Sequence, residues 1–281
     1  MDTPEVDRSA AAVVALKAGE HIKSRLDFPT PLRRRLAWTM AVDTLTALSM
    51  AVPRVLVISN QPALASRLAR AGLSVEVQAE PTRAGMNAAL THGAEIVRRA
   101  GYVSVLACVG DLPALRPDSV GEVLRAARAV PRSFVSDASG VGTTMLIAGE
   151  GADLEPRFQG RSAAAHQAGG AVHLDADRLG GPLADARRDV DSEVDLDTAI
   201  GLGLGAATAA LVDPQTRRIG RYAVITATEW RDDEGNPLAV TETGHRVVLP
   251  PAALSDGIRS TRLGQRLHAV LAGDRVLSAW W

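Results

Sequence analysis

Three aspartates in two distant stretches of the chain have the character of a divalent-cation site. Asp111 follows the apolar run 102–109 almost directly, and Asp189 and Asp191 form an Asp-x-Asp pair much later in the sequence. Mg²⁺ prefers oxygen ligands and is usually held by one or two carboxylates, with substrate phosphates completing its octahedron. The three aspartates therefore predict a Mg²⁺–triphosphate site. Taken singly, each has a plainer explanation, a turn cap at Asp111 and a solvated loop at the pair.

A basic cluster near the N-terminus could provide the opposite charges. Lys17, Lys23, Ser24 and Arg25 lie in the stretch 16–26, which is neither a Walker A loop nor a Gly-x-Gly-x-x-Gly motif. Ammonium and guanidinium groups can hold the phosphates of a nucleotide while a leaving group departs. A solvated basic loop before a helix is the alternative. Combined with the aspartates, the cluster indicates nucleotidyl transfer.

Other polar positions could contact the rest of a nucleotide or an acceptor. In the stretch 80–90, Gly85 permits close backbone approach, and Asn87 could bind a base edge or a ribose hydroxyl; an ordinary helix start is the alternative. The glycine- and hydroxyl-rich turns 140–144 and 158–166 could hold a small anionic acceptor, and plain turn chemistry is again the alternative.

Two residues near these positions are expected to be structural. If Ser162 begins a helix, the free backbone N–H groups of that helix N-terminus favour an anion. His166 lies one helical turn later and is expected to pack or hydrogen-bond rather than act as a base. Cys108 lies inside an apolar run and is expected to be a buried thiol. No Ser-His-Asp or Cys-His arrangement for nucleophilic catalysis is apparent.

Composition narrows the class of protein. Apolar residues make up 46% and charged residues 22% of the 281 residues, which predicts a packed core, and aromatics at 3% make that core aliphatic. A net charge of −1 does not favour a polyanionic partner. A single cysteine excludes an intramolecular disulfide and a cysteine-based zinc cluster. A membrane span needs about 20 consecutive apolar residues, and no stretch of the sequence approaches that length. We therefore expect a cytoplasmic location and no membrane partner.

Alternating strand and helix patterns predict a mostly parallel α/β sheet. Apolar runs favour strands over residues 12–17, 54–59, 73–78, 102–109 and 133–135, and helical periodicity favours helices over 29–48, 61–71, 85–100, 117–129 and 195–211. Ligands bind at the carboxyl ends of strands in such sheets, where Lys17, Asn60 and Asp111 fall. The glycine-rich run 201–205 follows no predicted strand and is interpreted as the small-residue face of the last helix.

The composition changes after a polar break at 214–218. Five short alternating segments within residues 217–281 predict a small β-barrel of the cold-shock or OB type. We therefore predict two domains, 1–213 and 214–281. The aromatic residues of the second are scattered rather than clustered on one strand, which favours a structural or interaction module over nucleic-acid binding. They are Tyr222, Trp230, Trp280 and Trp281.

The ordered set of short motifs resembles one known family. The motifs are Leu-Lys…Lys-Ser-Arg-Leu, Gly-Met-Asn-Ala-Ala-Leu, Gly-Asp-Leu-Pro-Ala-Leu, Gly-Thr-Thr-Met-Leu, Arg-Phe-x-x-x-Ser-Ala-Ala-Ala-His and Asp-Val-Asp-Ser-x-x-Asp-Leu. In this order they resemble the 2-phospho-L-lactate/phosphoenolpyruvate guanylyltransferases of coenzyme F(420) biosynthesis. The resemblance covers residue 10 to about residue 210. It implies the GT-A-like nucleotidyltransferase variant of the Rossmann-like α/β fold, a three-layer sandwich.

The resemblance also implies a reaction and a set of site residues. The reaction would be Mg²⁺-dependent transfer of GMP from GTP to phosphoenolpyruvate or 2-phospho-L-lactate, with release of pyrophosphate. Two Mg²⁺ would be held by Asp111, Asp189 and Asp191. The catalytic cations on the GTP phosphates would be Lys17, Lys23 and Arg25, next to Ser24. The positions along the nucleoside would be Asn60, Gly85 and Asn87, with Asp111 near the phosphates. The acceptor would be bound by Thr143, Thr144, Gln159, Gly160 and Ser162.

One stretch departs from the family pattern. Members usually have Phe-Gly-Pro-Gly-Ser, and here the stretch is Phe158-Gln-Gly-Arg-Ser162, so that Gln159 replaces a glycine near the acceptor. Acceptor identity stays open for this reason. The alternatives are transfer to 3-phosphoglycerate, molybdopterin or a sugar phosphate, and a non-catalytic nucleotide- or RNA-binding regulatory protein. Coupling to the next enzyme of the pathway and a homo-oligomer are compatible with the sequence.

Overall fold

The computed structural model describes residues 9–16, 23–80, 85–255 and 257–281. Within these ranges the larger part of the chain forms a seven-stranded sheet. Its strands are β1 (Ala10–Ala15), β2 (Arg54–Ile58), β3 (Glu76–Gln78), β4 (Ser104–Cys108), β5 (Arg132–Ser136), β6 (Thr143–Ala148) and β7 (Val172–His173). They lie in the order β3-β2-β1-β4-β6-β5-β7, with β3, β2, β1 and β4 parallel and β6 antiparallel to both its neighbours.

Helices cover both faces of this sheet. They are α1 (Thr30–Ala51), α2 (Leu64–Arg70), α3 (Met86–Arg99), α4 (Pro117–Ala127), α5 (Ser162–Ala168), α6 (Ala176–Leu179), α7 (Ala184–Arg187), α8 (Glu193–Leu202) and α9 (Ala206–Ala209). Alternate residues of β1 enter two different cores, with Val14 facing α1, α2 and α4 and Val13 facing α3. A strand buried on both faces has to be apolar throughout, which explains its Ala-Ala-Ala-Val-Val-Ala sequence. The predicted three-layer α/β fold is confirmed.

Two local predictions were wrong. The sequence predicts a turn over 140–144, but the last two residues of that stretch belong to β6, a fully buried strand that pairs with both β4 and β5. The predicted helix 195–211 ends at Leu202, because Gly203 has φ 93°. The chain then turns and begins α9, where the buried carboxylate of Asp43 accepts hydrogen bonds from the backbone N–H groups of Ala207 and Thr208. The glycine run is therefore not the small-residue helix face that was predicted, since a Cβ atom at Gly201 or Gly203 would meet nothing within 4 Å and only Gly205 packs closely, where a Cβ atom would lie 2.4 Å from the Asp43 side chain.

The C-terminal part is a closed five-stranded barrel among the described residues, which confirms that prediction. A short hairpin of β8 (Val212–Asp213) and β9 (Arg218–Ile219) leads into it. The barrel strands are β10 (Arg221–Arg231), β11 (Pro237–Thr241), β12 (Arg246–Val248), β13 (Arg266–Ala272) and β14 (Arg275–Trp280), with one 3₁₀ turn at Pro251–Ala253. Their order is β10-β11-β12-β14-β13, with β12 and β14 parallel.

The barrel packs against α1. Leu32, Leu36 and Met40 of α1 share an apolar cluster with Val270 and Trp280 of the barrel. Arg35, also buried there, has its guanidinium carbon 5.4 Å from the Trp280 ring centroid and donates to Ser278 Oγ at 3.4 Å. The described helices include none that is both long and apolar enough to cross a membrane.

Candidate active site

The carboxyl end of β4 holds Asp111 in place through close packing and one buried hydrogen bond. A Cβ atom at Gly110 would lie 2.5 Å from Leu16 Cδ2, so a larger residue there would require the Leu16 side chain to shift. The backbone N–H of Leu112 donates to Thr44 Oγ1 of α1 at 3.0 Å. The strand end that presents Asp111 is therefore fixed from both sides.

A backbone hydrogen bond brings the Asp-x-Asp pair to Asp111. The N–H of Val190, between the two aspartates, donates to the Asp111 carbonyl oxygen at 3.2 Å. Immediately after the pair, Ser192 and Asp195 form a reciprocal capping box at the start of α8. Arg188 donates to Asp195 Oδ1 at 2.6 Å, which closes the segment on its other side. The Ser-x-x-Asp spacing was visible in the sequence, but its positioning role was not recognised.

Lys23 bridges the two acidic segments. Its Nζ contacts Asp111 Oδ2 directly and lies 3.0 Å from Asp191 Oδ1, and its side chain is 9% exposed. Arg25 lies further out, with NH1 3.8 Å from Asp191 Oδ2 and 78% of its side chain exposed. The structure therefore brings together the predicted aspartates and two of the three predicted cations. Lys17 falls outside the described residues.

The electrostatics of this cluster follow from its charges. Burial by itself lowers the pKa of Lys23, but Asp111 and Asp191 outweigh it and hold that pKa above its ordinary value. Burial raises the pKa of Asp189 to about 7, and the neighbouring carboxylates of Asp111, Asp191 and Asp137 add to this effect. Negative charge is therefore crowded at this cluster, and Lys23 is the cation that offsets it most directly.

The cluster lies in a pocket of about 790 Å³. The pocket extends between α1 and α2, where the Arg67 guanidinium carbon lies 3.8 Å from the centroid of the Trp38 ring. The sequence-based prediction did not include the residues of α1 and α2 that line this pocket. The α1 residues could have been found from their spacing, since Arg34, Ala37, Trp38 and Ala41 lie on one face of a helix. The described residues lining the pocket are Ala15, Leu16, Lys23, Arg34, Ala37, Trp38, Ala41, Gln61, Leu64, Arg67, Met86, Val109, Gly110, Asp111, Gln159, Asp189 and Asp191.

The residues predicted along the nucleoside hold neighbouring loops. Asn60 and Glu80 are joined twice, since Asn60 Nδ2 donates to Glu80 Oε2 at 3.2 Å and the Glu80 N–H donates to Asn60 Oδ1 at 3.0 Å. Gly85, with φ 97°, donates its N–H to Glu80 Oε1 at 3.2 Å. Asn87 Nδ2 donates to the Phe158 carbonyl at 3.2 Å, and the Phe158 N–H donates to Asn87 Oδ1 at 2.8 Å. The nitrogen and the oxygen of the Asn87 side-chain amide are therefore both used to hold the loop that carries Gln159.

The predicted acceptor residues are split between the pocket and the core. Gln159 and Gly160 form a turn with φ values of 93° and 57°, and Gln159 lines the pocket. Ser162 begins α5 and is buried. Thr143 is buried, with Oγ1 3.0 Å from His166 Nδ1. Thr144 requires a correction, because it is fully buried and donates to the Ala186 carbonyl at 2.8 Å, which does not support an acceptor contact.

His166 and Cys108 are structural, as predicted. His166 Nε2 accepts the Arg157 N–H at 2.8 Å, and the ring lies 5.9 and 5.2 Å, centroid to centroid, from Phe134 and Phe158. Burial, with the nearby arginines Arg157 and Arg132, lowers the pKa of His166 to about 4. Cys108 is a buried free thiol, and its burial raises the pKa of that thiol.

The oxygen ligands of this pocket suit the predicted Mg²⁺. In the described ranges, no three acidic, histidine or cysteine side chains converge as a ready-made cage. Three carboxylates nevertheless line one pocket. Mg²⁺ normally takes one or two carboxylates and keeps positions for phosphates and water, so this set fits Mg²⁺ better than a metal that needs a complete protein cage.

Comparison with known proteins defines the class. The sequence pattern of the MobA-like NTP transferase domain matches residues 24–182, more than half of the chain. A structure from Desulfovibrio desulfuricans, provisionally assigned as a nucleotide-diphospho-sugar transferase, superimposes with a TM-score of 0.54 over 72% of this chain and 93% of that one. Its sequence identity is 14%, so this likeness shows the fold alone. The fold and the matched domain are those of a nucleotidyltransferase.

Curated relatives narrow the class further. Phosphoenolpyruvate guanylyltransferase from Geodermatophilus obscurus is 45% identical over 197 residues, 69% of this chain and 86% of the relative. The enzymes of that name from Streptomyces coelicolor and Salinispora arenicola are 43% and 42% identical, over 71% and 74% of this chain and 93% and 96% of their own lengths. The chain belongs to the phosphoenolpyruvate guanylyltransferase family.

Proposed function

We propose that this enzyme transfers GMP from GTP to phosphoenolpyruvate in a Mg²⁺-dependent reaction, as a step of deazaflavin coenzyme F(420) biosynthesis. The observation that carries the proposal is the pocket in which Lys23, Asp111, Asp189 and Asp191 meet. The names of the relatives support the choice of nucleotide and acceptor. The related acceptor 2-phospho-L-lactate differs by the enol double bond and is the competing substrate.

The chemistry is an in-line displacement at phosphorus. A phosphate oxygen of the acceptor attacks the α-phosphorus of GTP, the bond from that phosphorus to the bridging oxygen breaks, and pyrophosphate leaves with the electron pair. The attacking phosphate is already ionised at neutral pH, so no general base is needed. Catalysis is then positioning and charge neutralisation. Mg²⁺, held by Asp111, Asp189 and Asp191, would supply charge neutralisation at the phosphates.

The chain's own residues have separate tasks in this scheme. Lys17, Lys23 and Arg25 would neutralise the triphosphate, with the Lys23 ammonium nearest the carboxylates. Asn60 and Gly85 would lie along the nucleoside. The acceptor would be oriented by Thr143 and by the turn of Gln159 and Gly160, next to buried Ser162. Two Mg²⁺, a homo-oligomer, a cytoplasmic location and coupling to the next enzyme stay predictions.

We also propose that residues 1–213 form the catalytic domain and residues 214–281 an accessory barrel. Matches of 197 to 215 residues cover 86% to 96% of the relatives but only 69% to 74% of this chain. The matched part is therefore large enough for the reaction that those relatives are named for, and the barrel adds to it.

The test is pyrophosphate release from GTP and Mg²⁺ with phosphoenolpyruvate, 2-phospho-L-lactate or 3-phosphoglycerate as acceptor. Turnover with phosphoenolpyruvate is expected, and Asp111→Asn should lower kcat on the order of a hundredfold or more. Asp197→Asn, an exposed aspartate on α8, is the matched control and should leave kcat unchanged. Measurable GTP binding with no turnover on phosphoenolpyruvate would reject the proposed acceptor.

A further inference from the structure

The Lys23 ammonium occupies the place that a metal ion would need. It touches Asp111 Oδ2 and lies 3.0 Å from Asp191 Oδ1, so one cation already bridges the strand end and the Asp-x-Asp pair. With 9% of its side chain exposed, this cation is largely shielded from water. The structure thus contains a completed ion-pair triad at the position proposed for Mg²⁺.

The backbone holds Lys23 in this position. Lys23 has φ 52°, in the left-handed region that residues with a Cβ rarely adopt. The turn is closed by a hydrogen bond from the Leu26 N–H to the Lys23 carbonyl at 3.0 Å. Leu26 itself is 1% exposed and belongs to the apolar cluster between α1 and the barrel. The turn is therefore anchored at one end by a buried side chain.

The ammonium and a metal ion compete for two oxygens, Asp111 Oδ2 and Asp191 Oδ1. A divalent ion bound to them would face the ammonium at contact distance, in a partly buried place where charge repulsion is weakly screened. The metal therefore takes these two oxygens only once the ammonium has left them. A triphosphate gives it a destination, because phosphate oxygens accept charge-assisted hydrogen bonds from lysine.

We propose that Lys23 is a resident cation that blocks the metal site until the nucleotide arrives. Mg²⁺ then enters together with GTP, and Lys23 moves from the carboxylates to the phosphates in the same event. This rests on the proposed function and extends it to the order of binding. The enzyme without nucleotide binds Mg²⁺ weakly, and the nucleotide strengthens metal binding through Lys23.

The test is calorimetric titration of the full chain with Mg²⁺, and separately with Mn²⁺, in the absence of nucleotide. Lys23→Met removes the charge and keeps an unbranched side chain, and it should bind metal on the order of tenfold more tightly than the unaltered enzyme. Lys23→Arg keeps the charge and should bind as weakly as the unaltered enzyme. Arg25→Met is the matched charge control, since Arg25 lies 3.8 Å from Asp191 but is mostly exposed, and it should change metal affinity little.

Thermal unfolding is a second measurement, which shows whether a variant is folded as well as whether it binds the metal. Mg²⁺ should raise the unfolding temperature of Lys23→Met by more than that of the unaltered enzyme, and Lys23→Gln replaces Lys23→Met if the latter does not fold. A non-hydrolysable GTP analogue should tighten metal binding to the unaltered enzyme and tighten it less in the variant.

Two results would overturn the inference. One is an unchanged metal affinity in Lys23→Met. The other is an equal gain of metal affinity in Arg25→Met, because the gain would then come from losing any nearby positive charge and not from freeing the site that Lys23 occupies. Neither titration uses an acceptor or requires turnover. Failure to convert phosphoenolpyruvate would therefore reject the proposed function and leave this result standing.

Discussion

Replacing Asn87 distinguishes the role that the sequence suggests from the role that the structure supports. The sequence interpretation places Asn87 along the nucleoside, whereas its side-chain amide makes two hydrogen bonds, of 3.2 and 2.8 Å, with the backbone of Phe158. Phe158 directly precedes the Gln159–Gly160 turn, in which Gln159 has φ 93° and lines the pocket. Asn87→Ala should therefore release the proposed acceptor loop and leave the nucleotide contacts in place.

The size of the effect follows from the two bonds. Each partly buried hydrogen bond contributes about 0.5–1.5 kcal/mol, so the pair contributes about 1–3 kcal/mol to holding the loop. If that free energy appears in acceptor binding, KM for the acceptor should rise between about fivefold and on the order of a hundredfold. The unfolding free energy should fall within the same range.

The assay is steady-state pyrophosphate release, with KM measured for the acceptor at saturating GTP and for GTP at saturating acceptor. Asn87→Asp is the matched comparison, because it keeps an oxygen for the Phe158 N–H but places a second carboxylate oxygen against the Phe158 carbonyl. Two acceptors then face each other, so its effect on the acceptor KM should be at least as large as that of Asn87→Ala. A rise in KM for GTP with an unchanged KM for the acceptor would refute the structural reasoning and restore the nucleoside contact.

Three further outcomes are expected. Burial and the nearby arginines lower the pKa of His166 from its ordinary value of about 6.5 to about 4 in the folded chain. The unfolded state therefore binds more protons as the pH falls, and urea titration should show about 2 kcal/mol of stability lost between about pH 7 and about pH 5; an equal loss in His166→Gln would contradict this. Deleting the barrel after residue 213 should lower the unfolding temperature and increase dye binding, since Leu32, Leu36 and Met40 lose their cover, and an unchanged unfolding temperature would be inconsistent with the packing. Gln159 has φ 93°, a backbone conformation that favours glycine, so Gln159→Gly relieves strain but adds backbone freedom to the unfolded chain. The free energy of unfolding should therefore rise by at most about 1 kcal/mol, and the KM for the acceptor should change. A clear loss of stability would argue against strain at this turn.

Local patterns in the sequence were sufficient for the architecture. The all-apolar β1 and the apolar run before Asp111 indicated strands buried on both faces, and alternation with amphipathic helices then predicted the α/β sheet. Short segments of alternating polarity indicated strands with one buried face, which predicted the barrel. Predictions failed beside glycines, which allow several backbone states: Gly203 ends α8, and Thr143, which directly follows Gly142, lies in a strand and not a turn.

The site divides along the same line. The sequence by itself determined the chemical types, namely three aspartates and a basic cluster, with Asp111 and Lys17 at the ends of predicted strands, because residue type and strand position are local properties. Only the tertiary structure decided which groups meet, because pairing over long distances along the chain depends on packing. The Val190 hydrogen bond brings the Asp-x-Asp pair to Asp111, Lys23 bridges both, and Asn87 is turned to Phe158. None of these contacts has a periodicity or spacing that a single sequence could reveal.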